Sequence, residues 1–142
     1  MQRLYLILKF ARTPEFVVLS GPGINLSEYR HRIPDIVVVR ADGFLVAEVF
    51  EARPPLLAVE VASRRARLYD RTRKKTVYEQ YGIESYWIVN PDVEQPDITA
   101  FPLLGGKYEQ AGYAIDEKMF TTQVPFPVSF APAQLLSTEP LR

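Results

Sequence analysis

The stretch LLAVEVAS at residues 56–63 decides the fold, because seven of its eight residues are apolar or small and surround one acid, Glu60. Such a short and nearly continuous apolar run is typical of a β-strand that is buried on both faces. An unpaired carboxylate is very costly to bury, so Glu60 requires a metal, a cation or a proton as its partner. The stretch therefore predicts a central strand over 56–62 that carries a buried acid with a partner elsewhere in the structure.

The segments on either side of this strand alternate between helical and extended patterns. The predicted helices are 2–13, 64–81 and a short last one near 133–136, and the predicted strands are 16–19, 36–39, 56–62, 85–89, 98–104 and 107–113. Gly82 is suited to end the long helix, and Gly105-Gly106 is suited to a hairpin between the last two strands. Adjacent strands before a long crossover helix predict an α/β (α+β) fold with a mixed sheet. The segment 44–55 fits either a short helix or a loop.

The composition restricts the kinds of site that the chain can build. Its 142 residues suffice for a single domain, 1–142, and a hydrophobic content of 47% with 24% charged residues is ordinary for a soluble globular protein. The absence of cysteine excludes disulfides and thiolate metal sites, and the single histidine argues against a histidine-rich zinc site. The formal net charge is zero and no apolar run is long enough to span a bilayer, so a cytoplasmic protein with no membrane partner is the default expectation.

A second acid, Asp35, stands at the mouth of the apolar strand 36–39, directly after Pro34. Two acids on adjacent core strands predict a metal site with Asp35 and Glu60 as ligands. Because any metal must rest on oxygen ligands here, the predicted cofactor is Mg²⁺ or Mn²⁺.

The helix after the central strand is unusually basic for a neutral chain. It carries seven of the seventeen lysine and arginine residues: Arg64, Arg65, Arg67, Arg71, Arg73, Lys74 and Lys75. Two interpretations stay open, a solvated face or an electrostatic footprint for phosphates. On the second interpretation, Arg64, Arg67 and Arg71 are the candidate nucleic-acid-binding residues.

Helical spacing separates the two lysines of this helix. Asp70, Lys74 and Tyr78 share one stripe, and an inward-facing Tyr78 would let Lys74 reach the carboxylates of the neighbouring strands. Lys75 is rotated by about 100° from Lys74 in an ideal helix and should face away from them. A simple ion pair between Asp70 and Lys74 is the alternative explanation of the spacing.

Four motifs, in this order, resemble the Uma family, which groups restriction endonuclease-like proteins of the PD-(D/E)XK nuclease superfamily. They are Pro34-Asp35, Val59-Glu60-Val61-Ala62-Ser63, Asp70-x-x-x-Lys74-x-x-x-Tyr78 and Gly82-Ile83-x-x-Tyr86-Trp87-Ile88-Val89. The resemblance covers nearly the whole chain and implies a restriction endonuclease-like mixed β-sheet flanked by helices. It also implies that Asp35 and Glu60 are the paired acids of the nuclease motif.

Two features depart from that pattern. The superfamily places a lysine two residues after the second acid, where this chain has Ala62; the resemblance implies that Lys74, on the following helix, takes its place. Family members also begin with a further segment before the first helix, so an accessory acid from that segment is expected to be missing. Glu48 and Glu51 are weak replacements for that acid, and His31 is better explained as a surface histidine.

The sequence therefore predicts an Mg²⁺-dependent endonuclease that hydrolyses phosphodiester bonds of DNA, with Asp35, Glu60 and Lys74 as catalytic residues. One alternative is a degenerate module on the same fold that binds nucleic acid or a protein partner without cleavage. Another is an interaction domain whose acids are structural and are neutralised by lysine or arginine. The oligomeric state stays open, and a homodimer would most easily cut both strands.

Overall fold

The computed structural model of the chain describes the backbone of residues 2–21, 24–27, 30–32, 34–42, 54–62 and 64–139, and the side chains of 2–21, 34–42, 54–62 and 73–139. Within these ranges the helices are α1 (Gln2–Ala11), α2 (Arg64–Tyr81) and a final 3₁₀ helix (Pro132–Leu136). The strands are β1 (Phe16–Ser20), β2 (Ile24–Ser27), β3 (Arg30–Arg32), β4 (Ile36–Arg40), β5 (Leu57–Val61), β6 (Ser85–Asn90), β7 (Asp97–Leu104), β8 (Lys107–Tyr108), β9 (Gly112–Ile115), β10 (Phe120–Thr122) and β11 (Val128–Phe130).

A mixed sheet of seven strands forms the centre of the described part of the chain. Its order is β1-β4-β5-β6-β7-β8, and β9 also pairs with β7. The pair β5 and β6 is parallel and is connected through α2, whereas the other pairs are antiparallel. The predicted fold class, a mixed sheet flanked by two helices, is confirmed. No helix in the described ranges combines the length and the apolar character that a bilayer span requires.

The side chains of β5 contribute to two different hydrophobic clusters, one on each side of the sheet, because successive side chains of a strand point to opposite sides. Leu57 and Val59 belong to the larger cluster, which also holds Leu4 and Leu8 of α1. Ala58 belongs to the smaller cluster, which includes Tyr78 of α2 together with Tyr86 and Phe101 of the sheet. The same alternation places Glu60 on the face that α2 covers.

The predicted bounds of α2 are confirmed at both ends, and the hydrogen bonds of its last turn explain why Gly82 ends the helix. Gly82 has a positive φ of 93°, and its N–H donates to the carbonyl of Glu79 at 3.2 Å. The N–H of Ile83 donates to the carbonyl of Tyr78 at 3.2 Å. These bonds form a Schellman motif, whose left-handed residue is most easily a glycine.

One predicted strand needs correction, and some strands were not predicted. The polar segment before Pro34 contains such a strand, β3, which pairs with β2. The predicted strand 107–113 is divided into β8 and β9. The register changes from Leu103 opposite Tyr108 to Ala100 opposite Gly112, so three residues face two and form a bulge. Smaller differences are that α1 ends at Ala11 rather than residue 13, and that β6 extends to Asn90.

Candidate functional site

The candidate site lies where the carboxyl end of β5 meets α2. Glu60 is the fourth residue of β5 and is only 4% exposed. Its register partner on β6 is Ile88, so an apolar side chain lies on that side. Because β5 alternates its side chains between two faces, Glu60 points toward α2, and the site is built from α2 on this face.

Two donors on consecutive turns of α2 reach the Glu60 carboxylate. Tyr78 donates its phenolic proton from Oη to Oε1 at 2.7 Å, and Lys74 donates from Nζ to Oε2 at 3.2 Å. The side chain of Lys74 is 30% exposed, whereas that of Glu60 is 6% exposed. The contact that helical spacing predicts between Lys74 and the buried acid is therefore present, and each carboxylate oxygen accepts a different donor.

The electrostatic balance of Glu60 is dominated by its burial. Burial raises the pKa of the Glu60 carboxyl above its ordinary value, whereas the Tyr78 hydrogen bond and the Lys74 ammonium lower it, and the nearby Asp35 raises it slightly further. The pKa stays raised, so these two donors do not fully offset the cost of burying the charge. Additional positive charge at this position would stabilise the ionised carboxylate.

Asp35 lies one residue before β4, at the end of its ladder with β5. The ladder ends at Ile36 opposite Val59, and the N–H of Asp35 donates to the carbonyl of Val59 at 3.1 Å, so Asp35 lies beside the residue that precedes Glu60. Asp35 is exposed, and its Oδ2 accepts the N–H of Val61 at 2.6 Å. The Asp35 carboxylate thus takes the place of a backbone acceptor from the β4 side for an N–H of β5, and this bond holds one of its oxygens beside the strand that carries Glu60.

The pair of acids fits a small oxygen-ligated cation. Among the residues whose side chains are described, no group of three or more histidines, cysteines or acids is arranged to hold a metal ion. Two carboxylates suffice for Mg²⁺, which usually binds through one or two of them and keeps several waters. One buried carboxylate on β5 and one exposed carboxylate that accepts the N–H of Val61 are the residues that would hold such an ion.

Lys75 shows how sharply the helix separates its two lysines. Its Nζ lies 4.3 Å from the centre of the Phe101 ring, on a strand two positions away from β5 in the sheet. It therefore engages an aromatic face rather than the Glu60 carboxylate, in agreement with its predicted rotation from Lys74. This difference makes Lys75 a matched control for Lys74.

Several predicted residues lie outside the described side chains. The backbone of Arg64, Arg67 and Arg71 belongs to α2, but their side chains are outside the described residues, as are those of Asp70 and His31. Glu48 and Glu51 are outside the described residues altogether. The nucleic-acid-binding role of the three arginines stays a prediction.

The sequence did not identify Tyr78 as a donor to Glu60. Its position on the Lys74 stripe indicated only that the ring packs inward. The available signal was chemical: a buried tyrosine hydroxyl usually has a hydrogen-bond partner, and Glu60 is a buried acceptor on the face that α2 covers.

Comparisons with known proteins identify a family from the sequence and a similar fold among solved structures. A family model described as "Uma2: Putative restriction endonuclease" matches residues 2–137. The search of curated proteins finds no match. Among solved structures, a "putative nuclease belonging to DUF820 from Anabaena variabilis ATCC 29413" is similar with a TM-score of 0.66, at 14% identity, over 87% of this chain and 69% of that chain. At this identity the likeness is one of fold.

Proposed function

The chain belongs to the Uma2 family, whose model is described as a putative restriction endonuclease, and from that premise we propose that it is a metal-dependent nuclease that hydrolyses phosphodiester bonds of DNA. One observation carries the proposal: the buried Glu60 carboxylate accepts from a lysine and a tyrosine of α2, and the N–H of Val61 holds the Asp35 carboxylate beside the same strand. A purely structural ion pair would not need a second carboxylate whose charge raises the pKa of Glu60, as Asp35 does.

In this proposal Asp35 and Glu60 hold Mg²⁺ or Mn²⁺. Such a cation, when bound, lowers the pKa of a coordinated water and neutralises charge on the substrate phosphate. Lys74 keeps its ammonium 3.2 Å from Glu60 Oε2, and its partial exposure gives a substrate phosphate access to it. A fixed positive charge at this position stabilises negative charge that develops on the phosphate oxygens.

The substrate class follows from the family and from the basic composition of α2. Arg64, Arg67 and Arg71 belong to the same helix as Lys74, and this concentration of positive charge in one element favours a substrate with a phosphate backbone. DNA is the proposed substrate. A homodimer would supply a second site for the opposite strand.

A second candidate function is a module that binds nucleic acid without cutting it. The observation that favours it is Ala62, which takes the position of the superfamily lysine and is buried at 7% exposure. If Lys74 only neutralises the Glu60 carboxylate and takes no part in cleavage, the protein would keep its fold and its affinity for DNA but would not cut it.

The experiment is a titration of Mg²⁺ and Mn²⁺ with supercoiled plasmid and with labelled oligonucleotides. Asp35→Ala, Glu60→Ala and Lys74→Ala should each lower the cleavage rate by about 100-fold or more. Lys75→Ala is the matched control and should stay within about threefold of the wild type, because this lysine contacts Phe101.

Each outcome assigns the site differently. Cleavage that survives all three substitutions would show that the acids and Lys74 are not the active site. Salt-sensitive DNA binding without cleavage, in a protein that circular dichroism shows to be folded, would support the binding module instead. If the protein neither cleaves nor binds DNA, the remaining interpretation is an interaction domain whose acids are structural.

A further inference from the structure

The two oxygens of Glu60 have different surroundings. Oε1 accepts from Tyr78, which is fully buried, whereas Oε2 accepts from Lys74, whose side chain is partly exposed. Oε1 therefore faces the protein interior, and Oε2 faces the side from which solvent reaches the carboxylate.

The position of the Tyr78 hydroxyl is fixed by the packing of its ring. The ring meets Tyr86 edge-on, with centroids 5.4 Å apart and planes at 75°. Both rings belong to the cluster that α2 forms with the sheet, together with Ala58 and Ile83. A ring held on several sides cannot withdraw its hydroxyl from Oε1 without disturbing this packing.

We propose that Tyr78 is a positioning residue that reserves Oε1, so that Glu60 binds the cation through Oε2 alone and the site favours Mg²⁺ and Mn²⁺ over Ca²⁺. The proposal deepens the proposed function and rests on it. Mg²⁺ requires near-octahedral geometry with short bonds, which a single carboxylate oxygen satisfies. Ca²⁺ takes more ligands and often gains them through both oxygens of one carboxylate. Each carboxylate oxygen has two acceptor positions, so Oε2 can accept from the partly exposed Lys74 and still bind a cation on its solvent side. Oε1 lies beside the fully buried Tyr78, away from that side, and is therefore not available to Ca²⁺ as a second ligand.

Tyr78→Phe tests the proposal because it keeps the ring and removes only the donor. Tyr108→Phe is the matched control: its hydroxyl donates to the carbonyl of Ile83 at 2.6 Å, and its ring lies 5.9 Å from that of Tyr86 in the same cluster. Both variants therefore lose one buried hydroxyl from one cluster, but only Tyr78 contacts Glu60.

The measurement is Mn²⁺ binding to the full chain by electron paramagnetic resonance, with Mg²⁺ and Ca²⁺ as competitors. The ratio of the Ca²⁺ Kd to the Mg²⁺ Kd should fall about tenfold in Tyr78→Phe, which corresponds to about 1.4 kcal/mol, and should stay within about twofold in Tyr108→Phe. An unchanged ratio in Tyr78→Phe would overturn the role of Tyr78 while the nuclease proposal stands. A wild type that binds none of the three ions would overturn both.

A second measurement covers the case in which Tyr78→Phe does not fold. Infrared spectra of the wild type, with carbon-13-labelled glutamate, report whether a carboxylate binds a metal through one oxygen or two. The Glu60 band, identified by its loss in Glu60→Gln, should show one-oxygen binding with Mg²⁺ and with Ca²⁺. A two-oxygen signature with either ion would overturn the proposal.

Discussion

Replacing Lys74 by methionine should destabilise the protein, because it leaves the Glu60 carboxylate buried without its cation. An exposed ion pair contributes roughly 0.2–1 kcal/mol, and breaking a fully buried pair costs roughly 3–5 kcal/mol. The pair in this protein lies between these limits, since the Glu60 side chain is 6% exposed and that of Lys74 is 30% exposed. We expect Lys74→Met to lower the free energy of unfolding by about 1–2 kcal/mol at a pH where Glu60 is ionised.

A double-mutant cycle with Glu60→Gln isolates this interaction. Glutamine keeps an oxygen that can accept from Tyr78 but removes the charge, so Lys74→Met on that background should cost less than about 0.5 kcal/mol. The coupling between the two positions should therefore be about 1 kcal/mol or more. It should diminish as the pH falls, and because burial raises the pKa of Glu60, the decrease should begin at a higher pH than for an exposed glutamate.

The assay is urea unfolding followed by the fluorescence of Trp87, the single tryptophan of the chain, which is fully buried. Its ring lies 5.1 Å from that of Phe120, so its emission reports the integrity of the larger hydrophobic cluster. Lys75→Met is the control and should cost about 0.5–1 kcal/mol on either background, through its contact with Phe101. An equal cost of Lys74→Met with and without the Glu60 charge would refute the ion-pair reasoning.

Three further predictions concern the pH dependence and the packing. The pKa of Glu60 is raised in the folded state, so its contribution to stability is fully present below its unfolded pKa and is lost as the pH rises through the folded pKa. Glu60→Gln should therefore gain stability relative to the wild type over that pH range. Urea midpoints at several pH values would show this gain. Gly112→Ala should cost about 1–3 kcal/mol, because the new Cβ would lie 3.1 Å from Cε2 of Phe120; an unchanged melting temperature would mean that the ring moves aside. Tyr108→Phe should cost about 1–3 kcal/mol by leaving the carbonyl of Ile83 without its donor, and a calorimetric melting curve that matches the wild type would contradict this.

The parts of the fold that local signals determine were predictable from the sequence. The bounds of α2 depend on a run without proline or glycine and on the glycine after it, and both signals are contained in a few residues. The central strand was predictable for the same reason, since β5 differs from the predicted range 56–62 by one residue at each end. Its burial follows from a composition that leaves few alternatives.

The parts that depend on distant partners were not predictable. The strand β3 consists of polar residues and is defined by its pairing with β2 rather than by a hydrophobic pattern. The bulge between β8 and β9 arises opposite Pro102 of β7, whose carbonyl accepts the N–H of Glu109 at 3.2 Å. A single strand over 107–113 was a reasonable expectation, because its pattern contains no sign of that register change.

The candidate site divides in the same way. Strand alternation places Glu60 on the face of Ala58, and a right-handed crossover between parallel strands brings the connecting helix over one face of the sheet. Helical spacing then brings Lys74 to that face. The hydrogen bond from the Tyr78 hydroxyl could not be predicted in this way, because only the position of the ring in the hydrophobic cluster shows which carboxylate oxygen the hydroxyl reaches.

The same geometry is compatible with the exchange of Ala62 for Lys74 that the family resemblance implies. One further step of the strand alternation puts Ala62 on the face of Ala58 and Glu60, toward α2. A lysine at position 62 would therefore approach the Glu60 carboxylate along the strand, whereas Lys74 approaches the same carboxylate from the helix above it. The exchange that the resemblance implies would keep a cation beside Glu60, and the Lys74 and Lys75 variants test whether that cation also acts in cleavage.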